Sequence, residues 1–326
     1  AGRIGILHAE NIQSKVKNMS LAGIVEPAPS KDVLEWTKSR GIPLFNDLPS
    51  ALKGVDAAAA VIALPTDLHE AIVGQAAAKG LHILCEKPVA PDLAAAERTV
   101  AHAKNAGVKL QIGFNRRFDH NSSALQRVIK SGDIGDLEIL RITSRDPAPP
   151  DLSYIKRSGG LFMDMTIHDF DMCRFLGGDV DEVFAQGACL VDSAIGRAGD
   201  IDTAILTLKF VSGALGIIEN SRRASYGYDQ RAEAHCSKGS AATANDTGSS
   251  VMISDSEGVH GEKPLYFFLE RYSDSFVEEL SQFAEAVLGD SPLTVTGYDG
   301  VEAIRIAAAA NLSMKERRPV KLSEIE

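Results

Sequence analysis

Short apolar segments alternate with helical segments in the first third of the chain, and this alternation restricts the fold more than any other feature. The apolar segments are residues 3–7, 21–25, 42–44, 57–63, 82–85 and 109–114, and the helical ones are 8–17, 32–40, 48–52, 68–79 and 92–105. Strands that alternate with helices form a parallel sheet covered on both faces. The sequence therefore predicts a Rossmann-type doubly wound α/β domain over residues 1–118, with ligands bound outside the carboxyl ends of the strands.

The first strand and the first helix of this pattern are joined without a turn. Residues 3–7 lead directly into the segment 8–17, although strand–helix connections normally take a few residues. In a dinucleotide-binding domain a G-x-G-x-x-G turn lies at this junction, and none occurs here. We expect that the polypeptide carries several glycine-containing residues between Leu7 and His8, and the alternative is a protein without the loop.

Composition narrows the class of protein. A length of 326 residues favours two domains, and the net charge of −10 argues against a nucleic-acid partner. No apolar run is long enough to span a membrane, and the first residues do not have the layout of a secretory signal. The four cysteines are far apart and form no C-x-x-C pair, so we predict no disulfide framework, no metal and a cytoplasmic location.

The remaining two-thirds of the chain has a different pattern. Strands are predicted at 137–144, 182–191, 203–210, 214–220, 231–236 and 250–254, and helices at 121–131, 276–288 and 299–314. Ser212 and Gly213 form a hairpin turn between two of these strands. We therefore predict a C-terminal α+β domain, residues 119–326, with a large mostly antiparallel sheet. A broad sheet face commonly pairs with a second subunit, which favours a homo-oligomer.

The segment after Gly159 and Gly160 is predicted to be a helix that presents acid, imidazole and acid on one face. Asp164, His168 and Asp171 follow each other by four and three residues, a spacing that aligns side chains on a helix. The opposite face can be buried through Met165, Met172 and Leu176. Because imidazole titrates near neutrality and a carboxylate can orient it, this pattern suits proton transfer. The alternative is a capping Asp with an ordinary surface His.

Candidate cofactor residues follow the predicted strands of the first domain. Glu26 ends the second strand, where an acid binds the ribose 2′-hydroxyl of NAD and disfavours NADP. Two further strand ends carry Leu64, Pro65, Thr66 and His69 and, at the next strand, Glu86 and Lys87. Pro88 holds Lys87 in an extended backbone, from which its amino group could reach a bound nicotinamide. The alternative for Lys87 is an exposed charge.

Several motifs resemble the glucose-fructose oxidoreductase and inositol dehydrogenase family. They are LPTDLH (64–69), CEKPV (85–89) and GGLFMDMTIHDFD (159–171). Others resemble its bacterial inositol 2-dehydrogenase branch, namely GFNRRFD (113–119), SRDPAPP (144–150), YIKRSGG (154–160), NSRRASYGYDQR (220–231) and PLYFFLERY (264–272). The resemblance covers essentially the whole chain. It implies NAD as cofactor, a catalytic Lys87, an Asp164–His168 pair, and a tetramer.

Polar loops of the second domain are predicted to bind a polyol, because a ring of hydroxyls needs many donors and acceptors. The candidates are Asn115, Arg116, Asp146, Tyr154, Asp171 and Tyr228 besides Asp164 and His168, in loops that also contain Arg145, Lys156, Tyr226 and Arg231.

The predicted function is NAD-dependent oxidation of a secondary hydroxyl of inositol to the keto-inositol, with His168 as general base, Lys87 as donor to the reacting oxygen and Asp164 orienting His168. The alternatives are a pyranose sugar as substrate and a non-catalytic nucleotide or sugar sensor. The sequence leaves the inositol isomer and the oxidised carbon open.

Overall fold

The computed structural model describes residues 1–325, which form two compact units. The first unit contains Ala1–Asn115 and Asp274–Val301, and the second contains Arg116–Ser273 and the residues from Glu302 onward. The predicted boundary at 118/119 lies three residues from the end of the first segment. The return of residues 274–301 to the first unit was not predicted, since sequence patterns give no sign of which unit a late helix packs against.

The helices and strands up to residue 115 alternate as the sequence predicts, apart from the first. They are α1 (Arg3–Ser14), β1 (Ile24–Val25), α2 (Lys31–Ser39), β2 (Leu44–Phe45), α3 (Leu48–Gly54), β3 (Ala59–Ile62), α4 (His69–Ala77), β4 (His82–Cys85), α5 (Leu93–Ala106) and β5 (Leu110–Ile112). Side chains at the N-caps fix several helix starts: Ser30, Asp47 and Asp92 each accept a hydrogen bond from a backbone N–H three residues on.

The prediction of a strand at residues 3–7 is wrong. These residues form the first part of α1, and Leu7 and His8 are consecutive residues in the middle of that helix. The expected additional residues between Leu7 and His8 are therefore absent from this chain. With no residues available for a turn, a continuous helix lets the backbone groups of this segment bond locally, beginning with Ile6 N–H to the carbonyl of Gly2 at 2.9 Å.

The parallel sheet of the first unit is consequently in two pieces. β1 pairs with β2, and β3, β4 and β5 form a separate three-stranded sheet, with all pairs parallel. Residues of α1, β1, β3 and the segment 274–301 line a cavity of about 700 Å³, whose walls are mostly apolar and include Gly5, Ile24, Val61 and Phe283. The sequence predicts one doubly wound sheet, whereas the described strands form two separate parallel sheets.

The second part of the chain supplies the larger sheet. Its elements are α6 (His120–Ser131), β6 (Leu137–Arg145), α7 (Leu152–Ile155), α8 (Leu161–Asp164), α9 (Thr166–Gly177), β7 (Val180–Ala188), α10 (Ser193–Arg197), β8 (Thr203–Phe210), β9 (Leu215–Ser221), β10 (Asp229–Cys236), β11 (Gly239–Ala242), β12 (Met252–Asp255), β13 (Gly258–Gly261), α11 (Phe268–Arg271), α12 (Ser273–Leu288), α13 (Gly297–Glu316) and β14 (Val320–Lys321). Most predicted elements occur within a few residues of these bounds.

Seven strands form one sheet in the order β11-β10-β6-β9-β8-β7-β14. Within the described residues of this sheet, β6 and β9 are the one parallel pair, and the other neighbours are antiparallel. The predicted hairpin between β8 and β9 is present, and Gly213 in its turn has φ +94°, a conformation that favours glycine. The parallel pair brings the chain segments that follow β6 and β9 to the same edge of the sheet.

A search of the described residues found no helix with the length and apolar character needed to cross a membrane.

The helical state of residues 3–7 can be tested through Gly5. Gly5 lies inside α1, and a Cβ there would meet Ala63 Cβ at an ordinary 3.6 Å. Gly5→Ala should therefore raise the free energy of unfolding in urea by roughly 0.5–1 kcal/mol, because glycine destabilises a helix interior. Gly107→Ala is the control, and should lower the free energy by roughly 1 kcal/mol because Gly107 has φ +68°. Destabilisation by Gly5→Ala would contradict a helix at this position.

Candidate active site

The acid–imidazole segment begins at two glycines that no other residue type would replace without strain. Gly159 and Gly160 have φ +83° and +86°, and a Cβ on Gly160 would lie 3.1 Å from the carboxylate of Asp200. That carboxylate accepts a hydrogen bond from Leu161 N–H at 3.0 Å, the first residue of α8. The sharp turn at the glycines therefore fixes where the segment that bears Asp164 begins.

The predicted continuous helix is broken between Asp164 and His168. Asp164 is the last residue of α8, His168 lies in the first turn of α9, and Met165 joins the two helices with φ −100° and ψ −56°. Thr166 Oγ1 donates to Leu161 O at 3.3 Å and to Asn220 Oδ1 at 2.7 Å. A hydroxyl that bonds to backbone within a helix competes with the helical pattern, which accounts for the break. The predicted apolar face is confirmed, since Met165, Met172 and Leu176 are all buried.

Both carboxylate oxygens of Asp164 have protein donors. Tyr154 Oη donates to Oδ1 at 2.7 Å, and Arg222 Nη2 donates to Oδ2 at 3.0 Å. Burial, with the charge of Asp164 adding to it, raises the pKa of Tyr154, so its hydroxyl keeps its proton. His168, four residues after Asp164, is half-buried. The site thus has an anchored carboxylate close in sequence to a half-buried imidazole.

Arg222 and Asp146 reach this site from the parallel strand pair. Asp146 directly follows β6 and Arg222 directly follows β9, whose last residues, Arg145 and Ser221, are register partners. The Arg222 guanidinium is 1% exposed and lies 4.0 Å from the Asp146 carboxylate. Burial raises the pKa of Asp146 to about 6, with Arg222 opposing the rise and Asp164 adding to it. Asp146 therefore titrates in the range in which many enzymes work.

A second layer of charge lies beneath these residues. Arg116 Nη1 donates to Asp169 Oδ1 at 2.7 Å, and Arg116 Nη2 contacts Tyr228 Oη at 3.3 Å. Asn220 Nδ2 donates to Asp169 Oδ2 at 2.8 Å. Burial raises the pKa of Asp169, and Arg116 opposes the rise. Arg116 and Tyr228, both predicted to bind substrate, are buried in this layer, so any contact they make with a ligand is through the small exposed part of each side chain.

The predicted role of Asp171 in substrate binding stays a prediction. Asp171 is fully buried, and its carboxylate accepts hydrogen bonds from Arg117 Nε and Nη2, the shortest at 2.6 Å. The carboxylate is thus already paired with a buried guanidinium. The predicted helical spacing of Asp164, His168 and Asp171 is interrupted at Met165.

Other predicted loop residues assemble around a different carboxylate. Asp229 accepts hydrogen bonds from Tyr226 Oη at 2.6 Å and Arg231 Nε at 2.7 Å, and Arg145 Nη1 donates to Tyr226 at 2.8 Å. Burial acts to raise the pKa of Asp229, but the hydrogen bonds from Arg231 and Tyr226 outweigh it and hold that pKa at about 2. These side chains are mutually satisfied. Lys156, which was predicted in the same loops, is exposed just after α7.

In the first unit, His69 connects two of the predicted cofactor segments. Its Nδ1 lies 2.9 Å from Pro88 O and its Nε2 lies 2.9 Å from Leu64 O. Burial lowers the pKa of His69 while the two carbonyl groups oppose the change. Lys87 directly precedes Pro88, and its own N–H donates to Glu86 Oε2 at 3.3 Å. The strand ends that carry Leu64 and Lys87 are therefore held together, as the parallel β3–β4 pairing predicts.

The remaining cofactor candidates lie at strand ends of the same unit. Glu26 follows β1 and accepts a hydrogen bond from Ala28 N–H. Thr66 begins a short 3₁₀ turn directly after Pro65, and Asn115 begins another after β5.

Sequence reasoning missed Arg222 and the Asp169–Asn220 layer. Arg222 lies inside the segment 220–231, from which only the tyrosines and Arg231 were chosen, and Asp169 directly follows His168. A signal for Arg222 was available only through topology, because its proximity to Asp146 depends on the parallel pairing of β6 with β9.

Comparison with known families gives the class of protein. Residues 1–114 match the family model described as "Oxidoreductase family, NAD-binding Rossmann fold", and residues 123–242 match the "GFO/IDH/MocA C-terminal domain" model. The predicted fold class, a Rossmann domain followed by a domain with a large mostly antiparallel sheet, is confirmed. The chain is thus an NAD-binding oxidoreductase of two domains.

Relatives extend this match over the whole chain. A myo-inositol 2-dehydrogenase of Thermotoga maritima is 44% identical over 99% of this chain and 97% of its own length. A crystal structure of a probable dehydrogenase from Thermotoga maritima superposes with a TM-score of 0.96 at 45% identity, over 100% of this chain and 98% of the other. The scyllo-inositol dehydrogenase of Lactobacillus casei, solved with NAD(H) and scyllo-inositol, gives 0.90 at 29% identity over 99% and 97%. The chain belongs to the GFO/IDH/MocA oxidoreductase family.

The residues of the first unit fit NAD. The strand ends that carry Leu64 and Lys87 are held together by His69, and an acid follows β1 at Glu26. Helix α1 begins at Arg3, directly after its N-cap Gly2. The first N–H groups of an α-helix have no partner within the helix, and they suit an anion such as a pyrophosphate.

Proposed function

We propose that this protein oxidises a secondary hydroxyl of inositol to the keto-inositol with NAD as the acceptor. The observation that carries the proposal is the anchored Asp164, held by Tyr154 and Arg222 and followed four residues later by the half-buried His168. A carboxylate and an imidazole in this order form an acid–base pair suited to taking a proton from an alcohol. Relatives with the same fold are named for myo- and scyllo-inositol.

His168 is the general base in this proposal. It takes the hydroxyl proton, and the negative charge of Asp164 stabilises the imidazolium that results. The hydrogen bonds from Tyr154 and Arg222 fix the position of Asp164 and leave it little freedom to rotate away. Asp164 thereby orients the imidazole or binds a substrate hydroxyl, and Asp146, with its pKa of about 6, is a further partner for substrate hydroxyls.

Lys87 is the donor to the reacting oxygen. An ammonium group that hydrogen-bonds the hydroxyl oxygen stabilises the negative charge that develops when the proton leaves. When bound, NAD accepts the hydride from the ring carbon. Glu26 favours NAD over NADP because a carboxylate repels an added phosphate.

Two other functions are alternatives to this proposal. A pyranose sugar offers nearly the same hydroxyl array and would use the same residues. A non-catalytic sensor would need neither Lys87 nor the Asp164–His168 pair, which argues against it.

The test is the appearance of NADH absorbance with a panel of inositol isomers and pyranose sugars. Turnover of one or more inositols with little turnover of sugars supports the proposal. Turnover of sugars alone would support the pyranose reading. Binding of ligands without any NADH formation would support the sensor.

Replacement of the general base should lower kcat selectively. We expect His168→Ala to lower kcat by roughly 10²–10⁴-fold, the range for a positioned acid–base group, with little change in NAD affinity, and we expect Lys87→Met to lower kcat as well. The control is His235→Ala, which removes an exposed imidazole paired with Glu138 and should leave kcat unchanged. Near-normal turnover by His168→Ala would contradict the mechanism and make Lys87 the next candidate for the base.

The pH dependence tests the role of Asp164. Activity should fall on the acid side, where a protonated His168 cannot accept a proton. Asp164→Asn removes a negative charge from the imidazolium while Arg222 remains, so His168 should protonate only at lower pH and the acid limb of kcat/KM should move down. Asp133→Asn, at an exposed turn after α6, is the matched control. A limb that stays in place in Asp164→Asn would show that this carboxylate does not influence the base.

A homo-oligomer, and specifically a tetramer, is part of the proposal. It is supported by large apolar side chains on the solvent face of the seven-stranded sheet, where Ile139, Ile205 and Leu215 are 41%, 57% and 55% exposed and Ile139 lies opposite Leu215. Light scattering on the purified protein tests it. We place the protein in the cytoplasm because its four cysteines are all unpaired.

A further inference from the structure

A cluster of His8, Glu86 and Glu279, of which His8 and Glu279 are buried, lies in the first unit. His8 comes from α1, Glu86 follows β4, and Glu279 comes from α12. One ligand-type atom from each residue lies within 4.8 Å of those of the other two. His8 and Glu279 are 1% and 0% exposed. His8 lies in the middle of the continuous helix α1.

The hydrogen bonds of this cluster are incomplete. His8 Nε2 lies 2.7 Å from Glu86 Oε1, and the other oxygen of Glu86 accepts from Lys87 N–H. Neither carboxylate oxygen of Glu279 has a hydrogen-bond partner, and Nδ1 of His8 has none either. A buried carboxylate without a partner is strongly unfavourable. A neutral acid would remove the charge, as the raised pKa of Glu279 indicates, but would still leave a hydroxyl and a carbonyl oxygen to be satisfied.

We propose that His8, Glu86 and Glu279 bind a divalent transition-metal cation. One imidazole and two carboxylates form a mixed nitrogen–oxygen donor set, which suits Zn²⁺ or Mn²⁺ better than the all-oxygen sets of Mg²⁺ and Ca²⁺. The cation replaces the direct His8–Glu86 hydrogen bond and gives the Glu279 oxygens their partner. The prediction of no metal rested on the spacing of the four cysteines, and this donor set contains no cysteine.

The surroundings provide a route of entry and a consequence. His8 lies in the wall of the 700 Å³ cavity, through which an ion can reach it. A cation bound to Glu86 fixes the position of this residue, which directly precedes Lys87. It also connects α1, the end of β4 and α12. A second cluster, Asp119, His120 and Asp246, differs because Arg271 already contacts both of its carboxylates, at 2.6 and 3.0 Å. It therefore serves as an internal control.

The experiment is a titration of the full chain, stripped with EDTA, with Mn²⁺ and separately with Zn²⁺. Calorimetry should show one tight site per chain, and the melting temperature should rise with cation concentration. Glu279→Gln should weaken binding at this site by at least about tenfold and abolish the rise. Asp246→Asn, the matched acid-to-amide control, should keep both. Glu279→Gln should fold, since it removes an unpaired buried charge.

Two results would overturn the proposal. One is the absence of binding at millimolar Mn²⁺ and Zn²⁺, and the other is equal binding by the wild type and Glu279→Gln. Electron paramagnetic resonance of bound Mn²⁺ in the wild type gives an independent measurement that does not rely on a variant. It should show coupling to one imidazole nitrogen, and a spectrum without nitrogen coupling would also overturn the assignment.

Discussion

Helix α1 is the element on which the arrangement of the first unit depends. Residues 3–7, apolar enough for a central strand, form the first part of this helix, and the parallel strands form a pair and a triplet. The same helix carries His8, whose Nε2 lies 2.7 Å from Glu86 Oε1 and which is close to the buried Glu279. One helix thus contributes to the wall of the cavity and to a cluster of charged residues.

The second unit depends on buried charges that satisfy each other in layers. Arg117 pairs with Asp171 and Arg116 pairs with Asp169, which ties α9 to the start of this unit. Above them Arg222 holds Asp164. Because a buried charge that loses its partner costs roughly 3–5 kcal/mol, these pairs leave few alternative arrangements. The position of the proposed catalytic carboxylate is in this way set by residues that do not themselves react.

Predictions that depend on residues close together in the sequence were more accurate than predictions that depend on contacts between distant residues. The β4 strand and the hairpin at Gly213 depend on local composition and turn geometry, and they occur as predicted. The face shared by Asp164, His168 and Asp171 depended on an unbroken helix. The helix is broken at Met165, and the hydroxyl of the next residue, Thr166, bonds to Asn220 on β9. Asp171 pairs with Arg117, a partner 54 residues away in sequence.

The sequence by itself determined the class of fold and the family, because short-range patterns and motif spacing carry that information, and it supplied Lys87, Asp164 and His168 as candidate site residues. The tertiary structure alone decided that residues 3–7 are helical, that Arg222 anchors Asp164, and that Glu279 faces His8 and Glu86. The last two depend on contacts between segments far apart in the chain. The pairing of strands and the packing of helices determine which residue becomes the partner of a buried charge. The local sequence does not specify that pairing or packing.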